Sequence, residues 1–421
     1  MNRHSTKALH GIVLSDFVSV KPSPPVPQEL ANDLLAMALA KAKCVEHNIT
    51  DQKEVDEQLK KSRVKVSQYG VATKYIKQRY MVLAASDYDG NVTIGQKIAS
   101  KGKFMQTALR SPLFKEMISD HRNPQGLNLE ERMGLYDRFA GKSIREMYAG
   151  IETPPDDIIH VTCSGYLSPS PVEQFFSEKG WLKTTVTHSY HMGCYGSLPA
   201  LRMAHGFLSS ARMGITPPKN RVDIVHTEIL SAHTKIVEDS PEQIITMSLF
   251  GDGFIRYSAY PEEQFAGTGK RGLKILAIKE HLIKDSLDGM TWHLGSHNFN
   301  MTLALSVPYA IRDTVRPYVD EMFADLGLDF EKEKQQGNVA YAIHPGGPLI
   351  VKKICEQLGL TDEDVALSGK VLYENGNMSS ATIPYILREV MNDDSVPVGS
   401  KILSMAFGPG LTIAGMLLEK V

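Results

Sequence analysis

The chain has 421 residues, 42% hydrophobic and 22% charged, with a formal net charge of −2 at pH 7. That length supports a large buried core, in two or three domains or in two similar halves sharing an interface. The near-neutral charge argues against nucleic acid as a main partner. Four scattered cysteines (Cys44, Cys163, Cys194 and Cys355) exclude a disulfide framework and a paired zinc spacing. No apolar run reaches the roughly 18 residues of a transmembrane helix. Met1 to Lys7 lacks a signal-peptide core, so a reducing cytoplasm is the expected setting.

In chain order, Gly11 to Val20 alternates and is β-branched, which predicts a strand. Lys21 to Gln28 is a Pro-rich connector of polyproline type. Glu29 to Val45 has helical apolar spacing, and residues 50–75 are charged and helix-prone. Residues 81–124 lack a clear period and read as an inserted surface excursion, partly helical. Asn128 followed by Glu131 looks like a capping box opening a long helix to Glu152. Asp157 to Cys163 and Arg221 to Thr227 read as strands. Phe265 to Leu273 reads as a flexible crossing, Thr291 to Val307 as paired strands, and Arg312 to Gly327 as a helix.

Chemistry first shows at Cys194. Thr184 to Thr187 upstream suits a strand, and Leu198, Leu201, Ala204 and Leu208 downstream have helical spacing. Cys194 then sits at a helix N-terminus, where the dipole and free N–H groups favour the thiolate and bring its pKa down from about 8.5. The bland alternative is a buried cysteine acting as apolar filler. Farther on, His344 ends an apolar run before a Pro/Gly turn, and Asn377 precedes a helix-like segment from Ile383 to Val390. Both lie in turns leading into helices, where α/β sheets place their sites. Taken alone, each reads as a hydrogen-bonded turn residue or an N-cap. Together with Cys194 they form a coherent set. The imidazole takes the thiol proton, and His and Asn N–H groups hold the oxyanion that forms on a thioester carbonyl.

Five segments, in order, resemble the active-site blocks of the type III polyketide synthases, the chalcone synthase-like ketosynthases. They are Gly193-Cys194-Tyr195-Gly196, Leu249-Phe250-Gly251-Asp252-Gly253, His344-Pro345-Gly346-Gly347-Pro348, Gly376-Asn377-Met378-Ser379-Ser380-Ala381 and Phe407-Gly408-Pro409-Gly410-Leu411-Thr412. The resemblance runs from about Lys74 to the end. It implies an α/β thiolase fold of two similar mixed-sheet halves in five alternating layers (αβαβα). Residues 1–265 would carry the nucleophile half with the 81–124 insertion, and 266–421 the half with His344 and Asn377. It also implies a decarboxylative Claisen condensation. Cys194 takes a starter acyl group, and a malonyl thioester loses CO₂. The resulting enolate, held by His344 and Asn377, attacks the acyl-Cys194. Acyl-CoA and malonyl-CoA would be substrates of a homodimer with no further cofactor and no metal.

The same resemblance places residues around the pocket. Phe250 matches a gating Phe, and Gly408 and Pro409 match a wall loop. Gly346 and Ser379 fall within matching blocks. Departures concern substrate more than chemistry. Leu230 and His233 stand where plant-type members have threonines, and Cys163 and Ser164 replace a Thr-Ser pair. Ser168 replaces a Met that crosses the dimer interface. Trp292 falls near a pocket glycine, where it shortens the cavity or points away, and Met301 falls near a pocket aromatic. His191 is a candidate second base, or a packing residue. Val66, Tyr69 and Thr73 occupy the positions of a basic trio that binds CoA phosphates. Lys61, Arg63, Lys65, Lys74 and Lys77 lie nearby and can serve, or simply form a solvated face. An acyl-carrier-protein donor with its phosphopantetheine arm therefore stays open. Two rival readings remain. One is a carrier-dependent ketosynthase, or a hydroxymethylglutaryl-type synthase with Glu228 as its carboxylate base. The other is a non-condensing thiolase-fold partner subunit.

Overall fold

The computed structural model describes residues 11–85, 111–119 and 123–421. Its centre is a nine-stranded mixed sheet. In chain order the sheet strands are β1 (Ile12–Val20), β2 (Asp157–Thr162), β3 (Thr185–Tyr190), β4 (Val222–Glu228), β5 (Gly253–Pro261) and β6 (Leu273–Leu282). A separate hairpin follows, β7 (Met290–Leu294) with β8 (Phe299–Leu303), and then the sheet strands β9 (Val339–Ile343), β10 (Lys401–Gly408) and β11 (Thr412–Lys420). The spatial order is β9-β10-β11-β6-β1-β5-β4-β2-β3.

That order contains a repeat which the amino-acid letters do not display. The run β2-β4-β5-β1 has one parallel pair followed by two antiparallel ones, and β9-β10-β11-β6 has the same. The two runs meet at β1 and β6, antiparallel through Val13 opposite Lys274 and Leu14 opposite Leu273. β3 is an edge strand of the sheet.

Helices cover the sheet on both faces and fill the space inside its fold. The longer ones among the described residues are α1 (Gln28–Glu46), α2 (Gln52–Tyr69), α3 (Leu129–Met147), α4 (Pro171–Lys179), α5 (Ser197–Arg212), α6 (Pro241–Leu249), α7 (Val307–Ala324), α8 (Pro348–Leu358), α9 (Ala366–Asn375) and α10 (Thr382–Asn392). Strand side chains point alternately to opposite faces, and the central strands are apolar on both. Ile158 and Val225 pack against α1, α3 and α4, while Ile159, Val161 and Ile224 pack against α5 and α10. On the other run, Ala414 and Met416 meet that same central pair of helices, and Leu403, Met405 and Ile413 meet α7 and α8. The result is five layers, helix-sheet-helix-sheet-helix, as the resemblance implied.

Local sequence explains the helix starts. The Asn128 side chain accepts from Glu131 N–H at 2.9 Å and the Glu131 carboxylate accepts from Asn128 N–H at 2.8 Å, a complete capping box. Asp51 caps α2, which buries only Ser62 and Val66, in keeping with its charge. The excursion read at 81–124 needs correction where it is described. Residues Val82–Ala85 and Pro112–Ser119 are helical, and Leu83, Leu113, Phe114 and Met117 are buried in the core beside α1. Short apolar pieces without a readable period are inserted into the core rather than laid on the surface. Residues 86–110 and 120–122 lie outside the described residues. Among the described residues, no helix is long and apolar enough to cross a membrane.

Candidate active site

β3 ends at Tyr190, and Cys194 stands in a single 3-10 turn, Gly193–Tyr195, directly ahead of α5. Gly193 has a φ of 73°, and a Cβ there would lie 2.7 Å from Cδ of Pro409, so only glycine suits the position before the thiol. His344 follows β9, its N–H donating to Met405 O at 2.8 Å. Asn377 follows α9 and bridges to the end of α6: its N–H donates to Leu249 O, and Gly251 N–H donates to Asn377 O, each at 3.0 Å.

Cys194 is buried and lines an apolar cavity. Of the pocket residues expected from sequence, Cys163, Leu230, His233, Phe250, Trp292, Met301, Ser379 and Pro409 line the same cavity. Ser164, Gly346 and Gly408 do not. Ser164 Oγ instead donates to Glu228 at 2.7 Å, and Gly408 makes room for the Tyr195 ring, 2.1 Å from where a Cβ would stand. His344 and Asn377 are each only 1% exposed and are not part of the lining.

Their polar atoms are distinctive. Both ring nitrogens of His344 and Nδ2 of Asn377 are buried with no hydrogen-bond partner. Asn377 Oδ1 accepts from Ser379 N–H at 2.8 Å, which leaves Nδ2 as the free donor. Leaving a buried polar group unpaired costs about 1–3 kcal/mol. His344 and Asn377 together carry three such atoms.

Burial decides the resting protonation states. It pushes the Cys194 thiol up to about 11, against the nearby Ser379 and Asn377 side chains, which favour the thiolate. It also drives the His344 imidazole down to about 3. The expected lowering of the Cys194 pKa is therefore reversed. The helix-terminus effect is worth a fraction of a kcal/mol to about 2, and full desolvation of a thiolate outweighs it.

Around this centre, Glu228 is wholly buried, and desolvation raises its pKa. Its carboxylate accepts from Cys163 N–H at 3.0 Å, from Ser164 Oγ and from Ser380 Oγ. It is occupied by these donors rather than presented to the cavity as a base. Cys163 Sγ lies 2.9 Å from Ser379 Oγ, and Ser379 also favours the Cys194 thiolate. The β7–β8 hairpin closes one side. Trp292 Nε1 donates to Cys163 O at 2.6 Å, and His191 Nε2 contacts Trp292 O at 2.7 Å, so His191 anchors the hairpin.

The lining also contains residues that the sequence reading missed, among them Arg79, Gln243, Thr246, Met247 and Phe299. Gln243, Thr246 and Met247 come from α6, and Phe299 from β8, elements with ordinary amphipathic patterns and no motif.

Cys194 stands at a strand-to-helix turn of the first run, and His344 and Asn377 at element ends of the second, on the five-layer mixed sheet of a thiolase fold. Comparisons with known proteins narrow this. Residues 275–421 match the family model for chalcone and stilbene synthases, C-terminal domain. The chain is 27% identical over 265 residues to Probable polyketide synthase 1 of Dictyostelium discoideum, covering 63% of this chain but 8% of that protein. It is 27% identical over 308 residues to the alpha-pyrone synthesis polyketide synthase-like Pks18 of Mycobacterium tuberculosis, covering 72% of each. The crystal structure of PKS-I from the brown alga Ectocarpus siliculosus superposes with a TM-score of 0.74 at 19% identity, covering 98% of both chains. The chain is thus similar to type III polyketide synthases, through a C-terminal match to the family model and through relatives at about a quarter identity over most of its length.

Proposed function

We propose that this chain condenses an acyl-CoA starter with malonyl units, using Cys194 as nucleophile and His344 and Asn377 as the groups that act on thioester oxygens. The observation that carries the reading is the buried Cys194 thiol on an apolar cavity, together with unpartnered His344 nitrogens and an unpartnered Asn377 Nδ2.

In loading, the Cys194 proton passes to His344 and the sulfur attacks the starter carbonyl. The C–S bond to CoA breaks, and the departing thiolate takes the proton back. In extension, the malonyl carboxylate leaves as CO₂, and the electron pair of the broken C–C bond becomes an enolate. The enolate oxygen accepts from His344 and from Asn377 Nδ2. Its carbon then attacks the acyl-Cys194 carbonyl and expels the Cys194 thiolate, which is reprotonated. Leu230, Phe250 and Met301 give the cavity apolar walls. Such walls favour loss of a charged carboxylate as neutral CO₂ and strengthen hydrogen bonds to the enolate.

The remaining parts of the reading are these. The halves divide at 265/266. The enzyme needs no cofactor beyond its thioester substrates and works in a reducing cytoplasm, where the four free cysteines stay reduced. It is a homodimer. Edge strand β3 supports this, with Leu182 at 80% and Tyr166 at 58% exposure beside it. CoA is the donor, with an acyl carrier protein as the alternative.

The test is to incubate the protein with malonyl-CoA and a panel of acyl-CoA starters and record intact protein and product masses. An acyl adduct that Cys194→Ala abolishes, with CO₂ and polyketide released, is the expected result. Loading only from an acyl carrier protein would shift the reading to a carrier-dependent ketosynthase. No adduct from either would overturn it in favour of a non-condensing partner.

A further inference from the structure

A single buried cation joins the segment of Phe250 to that of Asn377. Arg79 is 1% exposed, and its guanidinium is spread over three acceptors. Nε donates to Gln28 Oε1 at 2.8 Å, and Nη1 donates to Met247 O at 2.8 Å and to Phe250 O at 2.6 Å. Met247 and Phe250 lie at the C-terminal end of α6, where unpaired carbonyls and the negative dipole end favour a cation. Asp252 acts on it electrostatically and favours the charged form, and its carboxylate accepts from Val82 N–H and from Ser231.

The Arg79 stem does as much as its head. A Cβ on Gly376 would lie 2.9 Å from both Cγ and Cδ of Arg79, and one on Gly251 would lie 3.3 Å from its Cβ. Gly376 has a φ of 73°. The chain thus passes against the arginine stem in a glycine-only conformation one residue before Asn377. Gly251 N–H then pairs with Asn377 O, and Asn377 N–H with Leu249 O. Gln28 extends the brace, its Nε2 donating to Ser248 O at 2.7 Å. Direct backbone pairing joins Asn377 to the Phe250 segment, and Arg79 braces both sides of that pairing.

We infer that Arg79 is a positioning residue for the condensation, holding Asn377 and Phe250 in register so that the Asn377 amide meets the thioester oxygen. The inference rests on the proposed role of Asn377. Lysine at 79 keeps the charge but cannot span Gln28, Met247 and Phe250 with a planar fork.

The experiment is a double-mutant cycle read by malonyl-CoA decarboxylation. Arg79→Lys is expected to lower the rate about tenfold in the otherwise native chain and less than about twofold in an Asn377→Ala background, because residues acting through one another are non-additive. Alkylation of Cys194 by iodoacetamide, which needs no oxyanion donor, is expected to stay within about threefold of native. Arg79→Met should lose more than Arg79→Lys and show the same dependence on Asn377. An equal loss in both backgrounds would overturn the inference. So would parallel changes in alkylation and decarboxylation, or failure of both Arg79 variants to fold. If Asn377→Ala by itself leaves decarboxylation unchanged, it is the proposed role of Asn377 that falls.

Discussion

Trp292 Nε1 donates to the carbonyl oxygen of Cys163 at 2.6 Å, so the β7–β8 hairpin is pinned to the end of β2 beside the nucleophile. The indole faces the cavity rather than away from it. Trp292→Phe removes one hydrogen bond and should lower stability by about 1 kcal/mol. Trp292→Gly removes the ring and should extend the starter range to longer acyl chains, read from product masses across an acyl-CoA series. An unchanged product profile would show that the indole does not bound the chain.

Cys194→Ala should abolish the acyl adduct in intact-mass measurements. Asn377→Ala should retain the thiol but lower loading and malonyl decarboxylation by about 10² or more, the usual loss for one oxyanion donor. Native rates in Asn377→Ala would remove that residue from the chemistry.

With the Cys194 thiol pushed up to about 11, only a small thiolate fraction exists near neutrality. Thiolate is the reactive form, so its alkylation by iodoacetamide should rise about tenfold per pH unit between about pH 7 and 9, without a plateau. A rate already flat at about pH 6–7 would mean a resting thiolate–imidazolium pair instead. Cys163, whose thiol is pushed well above its ordinary range by burial and by Glu228, should remain unmodified under the same conditions.

His233 is a brace. Phe299 N–H donates to its Nδ1 at 3.0 Å, so Nε2 carries the proton and donates to Ser164 O at 2.8 Å. Burial holds its pKa near 3, and protonation would remove the acceptor that Phe299 needs. His233→Leu leaves a buried N–H and C=O unpaired and should cost about 2 kcal/mol or more, measured as a lowered urea midpoint. The pH dependence of product formation should be unchanged. A lost limb in that profile would assign His233 a proton-transfer role.

How far these features could be read in advance differs from residue to residue. The turn before α5 that holds Cys194, the turn after β9 that holds His344 and the approach to α10 that holds Asn377 are all legible, because strand runs, Gly/Pro turns and helical spacing are local signals. The Asn128–Glu131 box is legible for the same reason. Which side chains face the cavity is not. Leu230 and Met301 line it while Ser164 and Gly346 do not, although the family resemblance placed all four around the pocket. Burial of Leu83 and Leu113 is likewise invisible in a stretch with no period.

The sequence by itself determined the layered α/β class, the placing of Cys194, His344 and Asn377 at element ends, and the kind of chemistry those groups allow. Periodicity, turn residues and side-chain type are properties of short stretches of chain. Only the tertiary structure decided that Cys194 rests as a thiol, that Trp292 closes the cavity, that Glu228 is occupied by Cys163, Ser164 and Ser380, and that Arg79 ties Phe250 to Asn377. Each of these depends on desolvation or on hydrogen bonds between segments far apart in the chain, and local pattern carries no information about which distant segment will arrive.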